Sequence, residues 1–392
     1  MKGITPLVIA FLLLSVYHCT REESPEGEFR YPVREEKTDG IRTVINPDYP
    51  RDGRILYNMS DSITYGDEAG PEEGILFLAY DIRVDAVGNA YVIDSEDRAI
   101  KVYDANGDWI RNIGRRGQGP GEYTTIFDYD VTEEGLIFLL DTPQRRVSIL
   151  RSDGTYYSSF GIEEYCVHLR VSETGHVFLQ QHVSMPNPGS AVTKTMDMRL
   201  KRTNFRGKNL KEYGIFPHQK VVWRRQKTRR GTGIQPHSSR DDYTTVWIPA
   251  NDGRLYMGYS RDYIITVMDR NGKPLFRFGR EFAKIKNPEC SPDLAHPEYY
   301  PAFYSRYLFF DDAGNLWLKQ HTKEKEPEHI YDVFSPDGFY IQQAIVAERI
   351  FRYKNGYAYT IKLVSFEDRE TEAKRFRLIK CETKGIESHS PP

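Results

Sequence analysis

Residues 82–114, IRVDAVGNAYVIDSEDRAIKVYDANGDWIRNIG, contain four short apolar and aromatic runs, at 82–84, 90–93, 100–103 and 109–113. AVGN separates the first two runs, and DANG separates the last two. Gly and Asn tolerate the positive φ angle that a tight hairpin turn requires. The stretch therefore predicts a four-stranded antiparallel unit.

The same unit returns along the chain, as the spacing of its glycines indicates. Its first turn glycine recurs as Gly88, Gly135, Gly175, Gly253, Gly314 and Gly356, and its second as Gly107, Gly154, Gly207, Gly272 and Gly338. A third glycine follows the second by seven residues in four copies, at Gly114, Gly161, Gly214 and Gly279. The other intervals vary only where loops are expected, which is typical of a repeat protein.

Four-stranded units of about 40–50 residues around an axis form a β-propeller. Six first-turn glycines therefore predict an all-β fold with six four-stranded antiparallel blades. The last copy supplies only three strands, ERIFRY, YAYTIKLV and KRFRLIKC, so a fourth must come from elsewhere to avoid an open edge. We predict that the N-terminal segment 41–65 completes this blade and closes the ring.

The predicted propeller spans residues 40–383. It contains an insertion at 183–244, within or between blades 3 and 4, and a polar tail follows at 384–392. The stretch GRRGQGPGEY (114–123) has a glycine spacing that also occurs in nucleotide-binding loops. A dinucleotide fingerprint needs a helix after its last glycine, whereas Pro120 and another predicted strand stand here. We interpret the stretch as the connection between blades 1 and 2.

Three motifs carry a resemblance to a known family: V-D-x-x-G-N-x-Y-V-x-D, I-x-V-Y-D-x-x-G and I-x-x-I-G-R-x-G-Q-G-P-G-E-Y. They resemble the NHL-repeat type of six-bladed propeller, in a family of bacterial exported proteins and lipoproteins. The match is strong over 82–123, fair over 124–162 and 245–282, and architectural elsewhere. The resemblance implies a binding or sensor module, while a minority of related propellers are lyases and lactonases.

The first 19 residues have the features of an export signal. Lys2 precedes an apolar run of eleven residues (7–17), which is shorter than the ~20 residues that span a bilayer. The sequence LSVYHC resembles a bacterial lipobox with Cys19 as the lipid anchor, although His18 replaces the small residue expected there. The signal is thus either an ordinary or a lipoprotein signal peptide. Both predict an exported protein of the bacterial periplasm or outer surface, with residues 20–39 as a flexible tether and membrane attachment only through Cys19.

Composition and motifs exclude several classes of protein. The formal charge is −2, with 54 basic and 56 acidic residues, so we expect no nucleic-acid partner. The four cysteines include no C-x-x-C pair for zinc or redox chemistry. The sequence also lacks G-x-S-x-G, H-E-x-x-H and G-x-x-x-x-G-K-[ST]. We assign no catalytic residues and expect a monomer.

Connections after the second and fourth strands of each blade should gather on one face around the channel, where ligands usually bind. We predict a binding rim there, formed by Asp94, Arg115, Arg116, Gln118, Asp141 and Arg261. The inner strands contribute Arg83, Asp130, His168 and Arg170, which could converge on an anionic or metal-bearing ligand. The alternative is structural: short polar side chains cap turns, and a solvated channel wall needs polar groups.

These residues leave two functional hypotheses open. The leading one is an envelope-associated binding module that holds an unidentified ligand or protein partner. The alternative is a metal-assisted lactonase or lyase with calcium or zinc in the channel. The basic segment KVVWRRQKTRRG (220–231) is either a solvated loop or a patch for acidic glycans or lipid headgroups.

Overall fold

A computed structural model describes residues 31–66, 70–183, 194–228, 231–237, 242–290, 297–321, 328–367 and 372–389. Strands β1 (Arg34–Thr38), β2 (Ile41–Asn46) and β3 (Arg54–Tyr65) precede a 3-10 turn at Glu72–Gly74 and the repeats. Blade 1 consists of β4 (Ala79–Val84), β5 (Ala90–Asp94), β6 (Ala99–Tyr103) and β7 (Trp109–Ile113). The short pair β8 (Arg115–Arg116) and β9 (Glu122–Tyr123) leads to blade 2, which comprises β10 (Asp128–Val131), β11 (Ile137–Asp141), β12 (Arg146–Leu150) and β13 (Tyr156–Gly161).

Four further blades continue the repeat. Blade 3 contains β14 (Cys166–Ser172), β15 (His176–His182), β16 (Lys194–Asn204), β17 (Asn209–Thr228) and β18 (Gly231–His237). Blade 4 contains β19 (Thr245–Pro249), β20 (Leu255–Tyr259), β21 (Ile264–Met268) and β22 (Pro274–Arg280). Blade 5 contains β23 (Phe303–Phe310), β24 (Leu316–Gln320), β25 (His329–Phe334) and β26 (Tyr340–Val346), and blade 6 contains β27 (Ile350–Lys354), β28 (Tyr357–Glu367) and β29 (Glu372–His389).

The glycine spacing identified the turns correctly. All eleven first-turn and second-turn glycines have positive φ, between 75° at Gly207 and 97° at Gly107, a conformation that side chains with a Cβ rarely adopt. The innermost strands contact one another in the closed order β4, β10, β14, β19, β23, β27 and back to β4. The predicted six-bladed all-β fold is confirmed.

The ring is closed by an N-terminal strand, as predicted. Strand β3 pairs antiparallel with β29 and supplies the outer strand of blade 6. Its other edge pairs in parallel with β26, so blades 5 and 6 share one eight-stranded sheet. No edge of blade 6 is then left open at this position.

Strand β2 takes a different place from the predicted one. It pairs in parallel with β22 of blade 4 rather than with blade 6. The reason is local complementarity: Val44 is buried in the core of blades 4 and 5. The buried Asn46 amide donates to the carbonyls of Gly279 (2.7 Å) and Gly338 (2.9 Å) and accepts from the Tyr340 N–H (2.9 Å).

Two predicted boundaries differ from the structure. The flexible tether was predicted to reach residue 39, but Arg34–Thr38 form β1, paired with β2 through a turn at Asp39 and Gly40. Asp-Gly is a strong hairpin signal, and Arg42 adds a two-pronged ion pair with Glu35. The polar tail was predicted from residue 384, but β29 continues to His389 because the long β3 offers it a partner.

The described residues of the segment 183–244 belong mainly to strands of blade 3. Strands β16 and β17 are the third and fourth strands of this blade and are longer than those of blades 1, 2, 4 and 5, and β18 pairs with β17. In the basic segment 220–231, the backbone of residues 220–228 and of Gly231 belongs to β17 and β18, and the side chains lie outside the described residues. The signal segment and Cys19 also lie outside them.

The glycine-rich connection at 114–123 is an inter-blade connection, as interpreted from the sequence. It lies between β7 and β10 and folds back on itself through the parallel pair of β8 and β9. Buried apolar side chains pack between neighbouring blades on either side of it, for example Ile93 and Ile100 against Tyr129 and Leu139. Blade-to-blade packing therefore positions the connection rigidly.

None of the helical segments within the described ranges is long and apolar enough to cross a membrane.

Candidate functional site

Four inner strands bring charged side chains together in the channel. In each strand, residues two apart lie on the same face. The pairs are Asp81 and Arg83 in β4, Asp128 and Asp130 in β10, and His168 and Arg170 in β14, while Arg352 comes from β27. We call these seven residues the channel network.

Arg83 connects blades 1 and 2. Its Nε donates to Asp130 Oδ1 (2.6 Å) and its Nη1 to Asp81 Oδ1 (2.7 Å). Burial opposes the charged form, but Asp81 and Asp130 outweigh it and raise the pKa of Arg83. Its Nη2 is buried and has no hydrogen-bond partner among the described residues. One end of this guanidinium is thus fixed, and the other is unused.

Asp128 connects blades 2 and 3. Its Oδ2 accepts from the Leu169 N–H (2.8 Å) and Arg170 Nη1 (3.1 Å), and lies 3.3 Å from His168 Nδ1. Burial alone would raise the pKa of this carboxyl group, but Arg170 and His168 outweigh it and hold the pKa well below its usual range. Asp128 therefore stays ionised.

Arg352 reaches into the network from blade 6, past β4. Its Nη2 lies 3.6 Å from Asp130 Oδ1, an oxygen that Arg83 already occupies. Burial, reinforced by the charge of Arg83, lowers the pKa of Arg352 to about 10. The side chain keeps 26% of its surface accessible, so it faces the channel space. Arg352 is the least satisfied cation of the network.

Charge balances in the channel network, but hydrogen-bonding capacity does not. Three arginines face three aspartates, and each guanidinium carries five N–H donors. Asp130 Oδ2 is already used by the Val171 N–H (2.8 Å). The described residues therefore leave N–H donors of Arg83, Arg170 and Arg352 without acceptors. Such a site can accept an anion without breaking an existing ion pair.

Two acidic residues of the predicted rim cap turns. Both oxygens of Asp94 accept from backbone N–H groups, including Phe77 (2.7 Å) and Leu78 (3.1 Å). Asp141 accepts from the N–H groups of Thr124 (2.6 Å) and Gln144 (3.1 Å). Their carboxylates are thus occupied locally, as the structural alternative expected.

The predicted polar residues of the connection divide into two groups. Arg115 pairs with Glu122, and the Gln118 carbonyl accepts from Arg146 (3.3 Å). Arg116, in contrast, lines a pocket of about 400 Å³ between blades 1 and 2, together with Arg98 and Tyr80. Arg261 is exposed in blade 4 beside Tyr243 and Tyr259, so the structure does not bring it to this pocket.

Sequence reasoning missed Asp81, Asp128, Arg352 and the pocket residues Tyr80 and Arg98. Part of the signal was available, because DIR (81–83), DYD (128–130) and HLR (168–170) repeat a charged pair at i and i+2 in successive inner strands. In β27 the corresponding pair consists of two cations, Arg352 and Lys354, and only the closed ring brings Arg352 to Asp130.

Across the described ranges, no group of three or more His, Cys, Asp and Glu side chains is placed to hold a metal ion.

Comparison with known proteins supports the fold. The model of the family DUF5128, described as a 6-bladed beta-propeller, matches residues 79–174. A structure from Bacteroides fragilis, described as that of a candidate exported protein, has a TM-score of 0.51 at 11% identity and covers 84% of this chain and 95% of its own. A search of curated proteins finds no significant match.

Two further structures are more distant. A member of the duf4221 family from Bacteroides vulgatus has a TM-score of 0.47 at 10% identity and covers 86% of this chain and 100% of its own. Virginiamycin B lyase from Staphylococcus aureus has a TM-score of 0.40 at 9% identity and covers 83% of this chain and 99% of its own. Neither supports an argument about function, and the narrower NHL-type resemblance stays a prediction. The chain has the six-bladed β-propeller fold and is similar to bacterial proteins of that fold.

Proposed function

We propose that the chain is an exported, non-enzymatic binding module that holds a small organic anion in the channel network. The observation that supports this proposal is the surplus of guanidinium N–H donors beside carboxylates that are already in use. Arg170 and Arg352 are 28% and 26% accessible, so a ligand in the channel can reach both. Guanidinium groups bind carboxylates and phosphates through short, charge-assisted hydrogen bonds.

The roles within the site differ. Arg352 and Arg170 would contact the anion, whereas Arg83 would hold Asp130 and Asp81 so that these carboxylates do not neutralise the ligand site. Burial supports the electrostatics, because charge interactions are stronger where water is partly excluded. The ligand class that fits this arrangement is a polycarboxylate or a phosphate ester.

Calorimetric titration with citrate at low ionic strength tests the proposal. Arg352→Gln removes the least satisfied cation, and we expect citrate affinity to fall at least tenfold. The matched control is Arg270→Gln, because Arg270 is exposed in the turn between β21 and β22, and it should bind citrate like the wild type. Equal affinity of Arg352→Gln and wild type, or no binding of citrate and inorganic phosphate by the wild type, would contradict the proposal.

The metal-dependent alternative makes a different prediction. A lactonase or lyase with a metal in the channel would contain stoichiometric calcium or zinc after purification, and its activity would be lost on chelation. We expect elemental analysis of the purified protein to find neither metal in stoichiometric amount. Finding one would replace the binding module by the enzyme.

The proposal also includes export and a lipid anchor at Cys19. If Cys19 is the lipid anchor, Cys19→Ala should move the protein from the membrane fraction to the periplasmic or external fraction. Continued residence of the variant in the membrane fraction would rule out anchoring through Cys19.

A further inference from the structure

A second site lies on the face that carries the connections between blades. The pocket between blades 1 and 2 is lined by Tyr80, Ile93, Asp94, Ser95, Arg98, Arg116, Thr124, Thr125 and Ile126. Its volume of about 400 Å³ is within the range of ligand pockets. Tyr80 in the lining neighbours Asp81 of the channel network along β4, but the arginines of this pocket are not those of the network.

The pocket is positively charged. Arg98 and Arg116 are exposed, and neither guanidinium has a hydrogen bond or ion pair within the described residues. The one carboxylate in the lining, Asp94, is fully buried and already accepts backbone N–H groups. It therefore does not neutralise the two arginines, and the pocket favours an anionic group.

Arg98 stands in the turn between β5 and β6. Its φ is 54°, and Arg145 in the corresponding turn of blade 2 has a φ of 49°, so this conformation belongs to the repeat. The turn places the Arg98 guanidinium at the pocket. Hydroxyl groups of Ser95, Thr124 and Thr125 complete a lining suited to a ligand with many hydroxyls.

Two exposed aromatic rings form a row that starts next to the pocket lining in the sequence. Phe127 follows Ile126 of the lining directly and is 39% exposed, and Tyr165 in the next blade is 47% exposed. Their rings meet edge to face with centroids 5.9 Å apart, and Tyr165 stacks on His182 at 6.1 Å. Exposed rings of this kind offer an apolar face together with a polar edge, which suits the C–H faces of successive sugar rings.

We propose that this pocket, together with the rings of Phe127 and Tyr165, binds an acidic oligosaccharide. A uronate carboxylate would lie between Arg98 and Arg116, with the sugar hydroxyls at Ser95 and Thr125. The following rings would pack on Phe127 and Tyr165. This inference goes beyond the channel proposal and does not depend on it, because the two sites use different arginines.

The test is a binding titration with hexagalacturonate, with its methyl ester as the uncharged control. The wild type should bind the acid at least tenfold more tightly than the ester. Arg116→Ala should weaken hexagalacturonate binding at least tenfold, as should Arg98→Asn, because Asn tolerates positive φ while removing the charge. Tyr165→Ala should weaken it about threefold to tenfold, whereas the exposed control Arg270→Ala should not change it.

Three outcomes would overturn the inference. The first is no hexagalacturonate binding by the wild type. The second is unchanged binding by correctly folded Arg116→Ala and Arg98→Asn. The third is tighter binding of hexadeoxythymidylate than of hexagalacturonate, which would indicate single-stranded nucleic acid, since that class also uses arginines and exposed aromatic rings. Arg352→Gln separates the two sites: it should retain hexagalacturonate binding while losing citrate binding.

Discussion

Two carboxylate networks join neighbouring blades in this protein: the channel network and a second one around Asp332, which we call the Asp332 network. They differ in whether their arginines keep unused N–H donors. Asp332 lies between blades 4 and 5 and is fully buried. It accepts from Arg280 Nε (2.8 Å), from Gln320 Nε2 (2.5 Å), from the Tyr340 hydroxyl (2.5 Å) and from the Tyr263 hydroxyl. In the channel network, both oxygens of Asp128 and of Asp130 accept hydrogen bonds, but the arginines keep unused donors.

The pKa values of the arginines in the two networks are shifted in opposite directions. Burial opposes the charge of Arg280, but Asp332 outweighs it and raises the pKa of this guanidinium above its usual value. Burial and Arg83 instead lower the pKa of Arg352 to about 10. The surroundings of Arg280 therefore stabilise its charged form, whereas those of Arg352 destabilise it. Under the proposed function, this difference distinguishes a network that holds the fold from one that binds a ligand.

The largest expected effect comes from breaking the Asp332 network. Arg280→Gln removes the only cation that the described residues place on Asp332 and leaves a buried, uncompensated carboxylate. We expect the free energy of unfolding to fall by about 3–5 kcal/mol, measured by chemical denaturation. A loss below about 1 kcal/mol would mean that the Asp332 network is not structural.

A steric contrast between two glycines gives the next effect. A Cβ at Gly279, beside Arg280, would lie 1.8 Å from the Tyr263 carbonyl oxygen, so Gly279→Ala should cost about 1–3 kcal/mol. A Cβ at Gly119, in the connection between blades 1 and 2, would meet only the flexible Glu122 side chain, at 3.1 Å. Gly119→Ala should therefore melt at nearly the wild-type temperature. Equal melting temperatures for the two variants would contradict this contrast.

Acidification should lower the free energy of unfolding through protonation of His182. Burial, followed by the charge of His168, lowers the pKa of His182 to about 4, below the ~6.5 of an unfolded chain. Folding therefore favours the neutral ring, and this stability is present above pH 6.5 and is lost as the pH falls towards 4. The loss is about 1 kcal/mol once solvent exposure is allowed for.

His182→Gln should remove that part of the pH dependence, as measured by unfolding at pH 7 and pH 4. His329, whose pKa burial also lowers to about 4, should supply a remaining slope. An unchanged slope in His182→Gln would show that this ring does not titrate in the window.

The smallest stability effect is expected at Arg352. Within the part of the chain that the structure describes, its only ion-pair contact is at 3.6 Å, and Asp130 keeps Arg83 and the Val171 N–H. Arg352→Gln should therefore change the free energy of unfolding by less than about 1 kcal/mol. A loss comparable to that of Arg280→Gln would make the two networks equivalent and remove the argument for a ligand.

The sequence predicted what local conformation dictates. The turn glycines revealed the blade count because each needs a positive φ, and the three strands of the last copy revealed that an N-terminal strand must join them. The position of β2 could not be read in the same way, because Asn46 is anchored by carbonyls of Gly279 and Gly338, far along the chain.

The candidate site likewise contains residues that the sequence predicted and one residue whose position depends on ring closure. Arg83, Asp130, His168 and Arg170 were predicted from their positions on inner strands, and the structure brings them together. Arg352 was not predicted, since its approach to Asp130 depends on ring closure. Asp94 and Asp141 resembled ligand-facing carboxylates in sequence, but their oxygens are used by turns.

The most direct test of the difference between the two networks is the hydrogen exchange of arginine side-chain N–H groups, followed by nuclear magnetic resonance with labelled arginine. Arg280 should be protected with or without ligand. Arg352 should exchange rapidly in the free protein and become protected in saturating citrate. Protection of Arg352 in the free protein, or rapid exchange that citrate does not slow, would contradict the account.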